Sequence, residues 1–282
     1  MPNWTLVPAG RLKGATDRFW TGVGDEAEAV AERMNTDPAY LGRVTQFAVD
    51  GKAQHVAPVG DDLARLIPTP AHMLADLRGM FRGNPSLTDR FAELSSSIPC
   101  LPAGNFPVVL PVVYTSSLEA TVQFYWKVCQ ARYPAFWQWP ELKLDAKNLR
   151  PWSPDGKARV WPKGELRFVS LDLLAYYDHQ NGTTVEENRA KENAPMPGVE
   201  ILALMALAPA FGQAMDGGVA NGGRMPWLDL PGLEANISGK SAWSCAPIVN
   251  FARDGRGLWL DARHVSRRNR HCASPAFREC RG

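Results

Sequence analysis

The spacing of hydrophobic and polar positions changes period along the chain. In residues 25–33 and 71–81 apolar side chains recur every three or four positions among helix-forming residues, which predicts two helices. Asn35 to Asp37 reads as a cap ahead of a helix over 40–47. Pro68 and Pro70 end one segment, and Gly83 to Pro85 makes a turn. The Ser-, Pro- and Gly-rich stretch 95–107 is the expected boundary between a helical region, 1–104, and a second domain, 105–282. From 108 to 114 a β-rich run is interrupted by Pro111, which predicts an edge strand or a bulge. Ser116 or Ser117 is placed to cap a helix over 118–132, with Glu119 in its first turn where the helix dipole favours an anion. A long irregular stretch, 133–164, is dense in Trp and Pro. A short strand is predicted at 166–170. Thr183 or Thr184 ahead of Glu186 and Glu187 marks a helix start, and Pro197 and Gly198 precede an apolar helix over 199–211.

The last part of the chain alternates. Polar and charged residues are interleaved with Val249, Phe251, Leu258, Leu260, Ala262 and Val265, the pattern of strands with one buried and one exposed face. Residues 243–277 therefore read as several short strands, with Asp254–Gly255 as the clearest turn. The order of elements predicts an α+β domain in which two helices pack on a twisted, mostly antiparallel sheet.

Charge adds an asymmetry. The 282-residue chain has a formal net charge of +2. Within 251–282, eight arginines stand against Asp254, Asp261 and Glu279, a local balance of +5, which leaves about −3 for the rest. An anionic partner would be drawn to this end. Upstream, nine lysines accompany fourteen arginines, whereas 241–282 contains no Lys, Gln or Met. Five cysteines, Cys100, Cys129, Cys245, Cys272 and Cys280, lack paired metal spacing and read as buried thiols. No apolar run is long enough to cross a bilayer, and residues 1–13 lack a signal-peptide core, so a cytoplasmic or virion-associated protein is expected.

Three stretches carry a resemblance. Gly239-Lys240-Ser241-Ala242-Trp243 is similar to the Gly-Gly-Ser-Trp element that opens the variable region of C-type-lectin-like variable proteins diversified by diversity-generating retroelements. Ser274-Pro275-Ala276-Phe277-Arg278 is similar to the closing Gly-Phe-Arg, and residues 166–168 and 197–211 stand where such proteins carry a strand and the second helix. Lys240, Ala242 and Ala276 depart from the two motifs. The retroelement replaces template adenines, so randomised Asn codons never yield Lys, Gln, Glu, Met or Trp. Between Ser244 and His271 only Trp259 belongs to that excluded set. The resemblance implies a C-type-lectin-like domain that is not an enzyme and that binds varied ligands, proteins foremost, through a variable region over 244–271.

By alternation and by that resemblance, the expected ligand-contacting residues are Phe251, Arg253, Asp254, Asp261, Arg263, His264, Arg267, Arg268, Asn269, Arg270 and His271, with Trp259 as a fixed core anchor. Guanidinium groups suit this role because they pair bidentately with carboxylates and stack on aromatic rings. A basic nucleic-acid-associated protein is the alternative, although no aromatic residue is interleaved with arginine between Trp259 and Phe277. A thiol nucleophile at Cys245 or Cys272 with His264 or His271, in the manner of a formylglycine-generating oxidase, is a weaker reading, because the cysteine spacing does not match. Trp126, Trp137, Trp139, Trp152 and Trp161 read as core packing rather than a sugar platform, and His179 as a turn histidine. No cofactor, metal or calcium cluster is expected.

Overall fold

A computed structural model describes residues 61–82, 84–156, 161–192, 194–215, 225–237, 243–252 and 257–279. The chain divides into two compact units, 1–60 and 61–282. The helices expected over 25–33 and 40–47 and their cap lie outside the described residues.

The second unit opens with α1 (Asp61–Ala64), α2 (Pro70–Met80) and α3 (Pro85–Ser95). Thr69 caps α2 by accepting from the His72 amide at 3.3 Å, and Pro70 sits at the first helical position, where no amide hydrogen is needed. Pro70 thus starts a helix rather than ending one. Strand β1 (Pro107–Val113) pairs antiparallel with a long β4 (Leu166–Tyr176) and stands at the end of the sheet path. That position explains how Pro111 is tolerated: its missing amide hydrogen leaves no vacancy in an inner ladder. Helix α2 packs on β1 and α3 on β4. The boundary expected at 95–107 therefore falls inside one compact unit.

Helix α4 (Leu118–Arg132) begins as its sequence predicts, with the Ser117 hydroxyl accepting from the Ala120 amide at 3.1 Å. Its buried stripe is Leu118, Thr121, Val122, Tyr125, Trp126 and Cys129. Asp76 on α2 takes a bidentate ion pair from Arg132, at 2.6 and 2.8 Å. After short strands β2 (Phe136–Gln138), β3 (Leu149–Pro151) and then β4 comes α5 (Val185–Glu192). Thr184 and Glu187 close a reciprocal capping box there. Helix α6 (Val199–Leu207) is buried on every side and packs on α4. The single helix expected over 199–211 is broken at Ala208, because Pro209 disfavours helical geometry before it and opens α7 (Pro209–Ala214).

The remaining strands are β5 (Trp227–Asp229), β6 (Leu233–Ala235), β7 (Cys245–Ala252), β8 (Gly257–His264) and β9 (Cys272–Phe277). The path runs β1-β4-β9-β5-β7-β6-β3, with β8 on β7 and β2 on β8. Most pairings are antiparallel, but β2 with β8 and β5 with β9 are parallel, so the sheet is mixed. The unit is α+β, as expected. Alternation assigns the two faces. Leu258, Leu260, Val249, Leu228 and Ala273 are fully buried on an inner face, where α7 meets β7 and β8. The opposite, outer face carries Trp137, Trp259, Asp261, Arg263, Asn250, Trp227, Asp229, Cys272 and Ser274, as register partners or at two-residue steps from them.

Candidate ligand-binding face

Strands β8 and β9 run in the same direction with β7 and β5 between them. Residues 265–271 must therefore cross the sheet to start β9. The crossing lies on the outer face, because the Arg263 guanidinium reaches from that face to the Arg267 carbonyl at 2.6 Å and the Thr183 carbonyl at 3.3 Å.

Arg263 was expected to face solvent. It is instead 6% exposed, and the fully buried Asp229 takes its Nε and Nη2 donors at 2.7 Å each. Burial works against the charged guanidinium, but the Asp229 carboxylate outweighs it and holds the pKa above the ordinary value. The Ser274 hydroxyl donates to the same carboxylate at 2.7 Å, and the Asn188 amide donates to Ser274 and Thr183 at 2.9 and 3.0 Å. Alternation named the correct face of β8 here; it could not show that the crossover and α5 cover that part of it.

The crossover itself is irregular rather than a strand, yet it is tied down along its length. The Val265 amide donates to the Ser244 carbonyl at 2.7 Å, and the Glu186 amide donates to the Val265 carbonyl at 3.1 Å. Asn269 bridges Thr183 through the backbone. Arg268 donates to the Gly182 carbonyl at 2.8 Å and pairs with Glu187. Gly182 has φ of 68°, and a Cβ there would lie 2.6 Å from the Arg270 nitrogen, so glycine meets both the turn and the close approach.

Of the other expected contact residues, His264, Arg267, Arg268 and Arg270 are exposed. Asn269 is half-buried, and its side-chain oxygen accepts from the His271 amide at 2.8 Å. Phe251 departs from expectation: it pairs with Leu258 on the inner side and tilts against Tyr133 at 6.3 Å. Asp261 is half-buried on the outer face. Arg253 and Asp254 lie outside the described residues, as do Cys280, the Asp254–Gly255 turn and most of the opening motif.

The tryptophans form the part that alternation in the last segment alone does not reveal. Trp259 is not a core anchor: it is half-buried, and its ring lies 4.8 Å from that of Trp137, its register partner on β2. Asn250 is opposite Trp259 on β7. Continuing the β5–β7 register by one residue brings Trp227 opposite Asn250 from the other side. His271 stacks on Trp227 at 5.6 Å and 30°. The Nε1 of Trp227, the Nδ1 of His271 and the Tyr177 hydroxyl are buried without a hydrogen-bond partner. Burial lowers the His271 pKa, helped by Arg270, and pushes Tyr177 up to about 12, with smaller contributions from Cys272 and Asp178. Of the five tryptophans read as core packing, Trp126 is buried, while Trp137, Trp139, Trp152 and Trp161 are half-buried.

Cys245 stands opposite His264 in the β7–β8 register. Cys129 and Cys272 are buried, and burial raises both thiols. Cys245 is half-buried and Cys100 exposed, against the expectation of buried thiols. Among the described residues no group of three or more His, Cys, Asp or Glu side chains is placed to hold a metal ion, and no helix is long and apolar enough to cross a membrane. The chain matches no family model, no curated protein and no solved structure at a significant level.

Proposed function

We propose that the protein is a non-enzymatic ligand-binding protein of the C-type-lectin-like variable kind, presenting the basic crossover and the adjoining tryptophans to a protein ligand. The observation that carries this reading is the division of labour within 263–271. Arg263 is buried and holds the crossover to Asp229, while Arg267, Arg268, Arg270 and His264 remain exposed on an ordered backbone. Such a loop tolerates exchange of its outward side chains, since exposed substitutions move stability by about half a kcal/mol or less. Arginine and tryptophan are also the residue types that dominate interface energetics.

Two experiments test it. The genomic neighbourhood is expected to hold a reverse transcriptase and a near-identical repeat of the 3′ coding end that differs at adenines; their absence removes the diversification part of the reading. A joint Arg267→Ala, Arg268→Ala and Arg270→Ala variant is expected to keep its melting temperature to within a few degrees. A large fall refutes their assignment to a display surface.

A second reading gains one observation from the fold. Trp227, distant in sequence, stacks on His271, the residue after Arg270, so an indole and a cation come near one another. Single-stranded oligonucleotide binding that falls steeply with salt would favour this reading.

A further inference from the structure

Helices α2 and α3, far in sequence from the candidate face, enclose a cleft of about 150 Å3. A short turn joins the two helices, so they run antiparallel and the end of α3 returns beside the start of α2. Leu74 of α2 and Phe91 of α3 are buried and form the floor. Ala71 and Ala75 stand one helical turn apart, and their methyl groups leave the space above that floor open. Ser95 and Ile98 line the end beside Ala71, and Arg78 lines the other. Of the large apolar side chains left exposed among the described residues, Ile98, at 40%, lines this cleft, and Leu101, at 65%, follows three residues later. Exposed apolar side chains gathered beside a cavity mark an interaction site.

The charge at the cleft is that of Arg78, which is exposed and makes no hydrogen bond or ion pair among the described residues. The carboxylates of both helices are turned away or taken. Asp76 lies about 160° around α2 from Arg78, and it holds Arg132 at 2.6 and 2.8 Å. On α3, Glu93 pairs with Arg90 at 2.5 Å, and Asp89 stands about 160° around the helix from Phe91. A cation in the last turn of α2 suits the helix dipole, which accounts for the charge but not for the open apolar floor beside it. An occupant must match both. A cavity of about 150 Å3 lined by Leu, Ile and Phe takes a benzene-sized group, which is the size of a Leu or Phe side chain. Free small molecules fit less well, because their pockets are about 300–1,000 Å3 and close over most of the ligand, whereas Ala71, Ala75, Arg78 and Ser95 leave this rim exposed. The same surface of a second copy would bring another Arg78 rather than a carboxylate.

We propose that the α2–α3 cleft docks an acidic amphipathic helix of a partner protein, with an apolar side chain seated on Leu74 and Phe91 and a carboxylate paired with Arg78. A groove between two helices suits a third helix that lays its apolar stripe into it. Leu74 and Arg78 are four residues apart, so the partner needs an apolar residue and an acid at that spacing. A second apolar residue, one turn to the other side, meets Ala71 and Ile98. The site is independent of what the outer face of the sheet binds.

The probe is an alanine- and glutamine-based peptide of about 16 residues, long enough to hold a helix. It carries Leu at two positions four apart and Glu four beyond, with fluorescein for anisotropy against the full chain. Two control peptides replace the Glu with Gln or Lys. Saturable binding of the Glu peptide is expected, weakened about two- to fivefold by Gln, which is what an exposed ion pair contributes, and further by Lys. Arg78→Glu is expected to reverse the order, so that the Lys peptide binds better than the Glu peptide. Ala75→Leu and, separately, Ala71→Leu fill the cleft and are each expected to abolish binding with little change in melting temperature. No saturable binding, equal binding of the three peptides, or binding that survives both filled variants overturns the proposal. Dimers in sedimentation that Ala75→Leu dissolves overturn it too, and assign the cleft to a second copy of the chain.

Discussion

At one end of the outer face, beneath the crossover, Arg263, Asp229, Ser274, Asn188 and Thr183 bury their polar atoms against one another, with only the Asn188 carbonyl oxygen unpartnered in that group. At the other end, the Trp227 Nε1 and His271 Nδ1 are buried without a hydrogen-bond partner among the described residues, and half-buried Asp261 accepts one hydrogen bond, from the Ala262 amide. Both ends cost desolvation, but among the described residues only the first recovers most of it in hydrogen bonds and an ion pair. The contrast separates a polar cluster whose groups satisfy one another from one whose polar atoms the described residues leave largely unmatched. Charge alone does not make the distinction, since a carboxylate stands in both, Asp229 in the first and Asp261 in the second.

The sharpest way to break the comparison is Arg263→Ala. It leaves Asp229 buried without its partner and removes the donor that holds the Arg267 carbonyl. A loss of about 3–5 kcal/mol in urea unfolding is expected. A change below about 1 kcal/mol would show that the buried pair does not hold the crossover. Gly182→Ala is expected to act less severely, by about 1–3 kcal/mol, through the strained φ and the contact with the Asn269 and Arg270 backbone. Faster amide exchange in 182–187 and 265–271 would locate the damage. Asp261→Asn has the smallest expected effect and the opposite sign. The folded-state pKa of Asp261 is raised, so the fold favours the neutral acid. Its contribution is fully present below the unfolded value of about 3.9 and is lost as pH rises through the folded one. The variant is therefore expected to match the natural protein near pH 3 and to melt slightly higher at pH 7. A lower melting temperature at pH 7 would mean that the carboxylate has a stabilising partner.

Local signals were the legible part of the fold. Ser117 and the Thr184–Glu187 box carry their own helix starts, because a cap needs only its near neighbours. Pro111 pointed to an edge strand or a bulge, and the strand is at the end of the sheet path, where a missing amide hydrogen is tolerated. The Ser- and Pro-rich stretch 95–107 lies between helices and strands that pack on one another within 61–282; composition marks a turn but does not say what packs across it.

The candidate face was half legible. Alternation by itself determined that Trp259, Asp261 and Arg263 share one side of β8, and the excess of arginine in 251–282 is a property of composition. Only the tertiary structure decided which of these residues meet solvent. Two parallel strands separated by two others force a crossover, and the crossover covers Arg263 while Asp261 stays half-buried. Only pairing between strands distant in sequence brought Trp137 and Trp227 to either side of Trp259 and Asn250. Period and composition report which way a side chain points; what lies over it depends on chain far away in sequence.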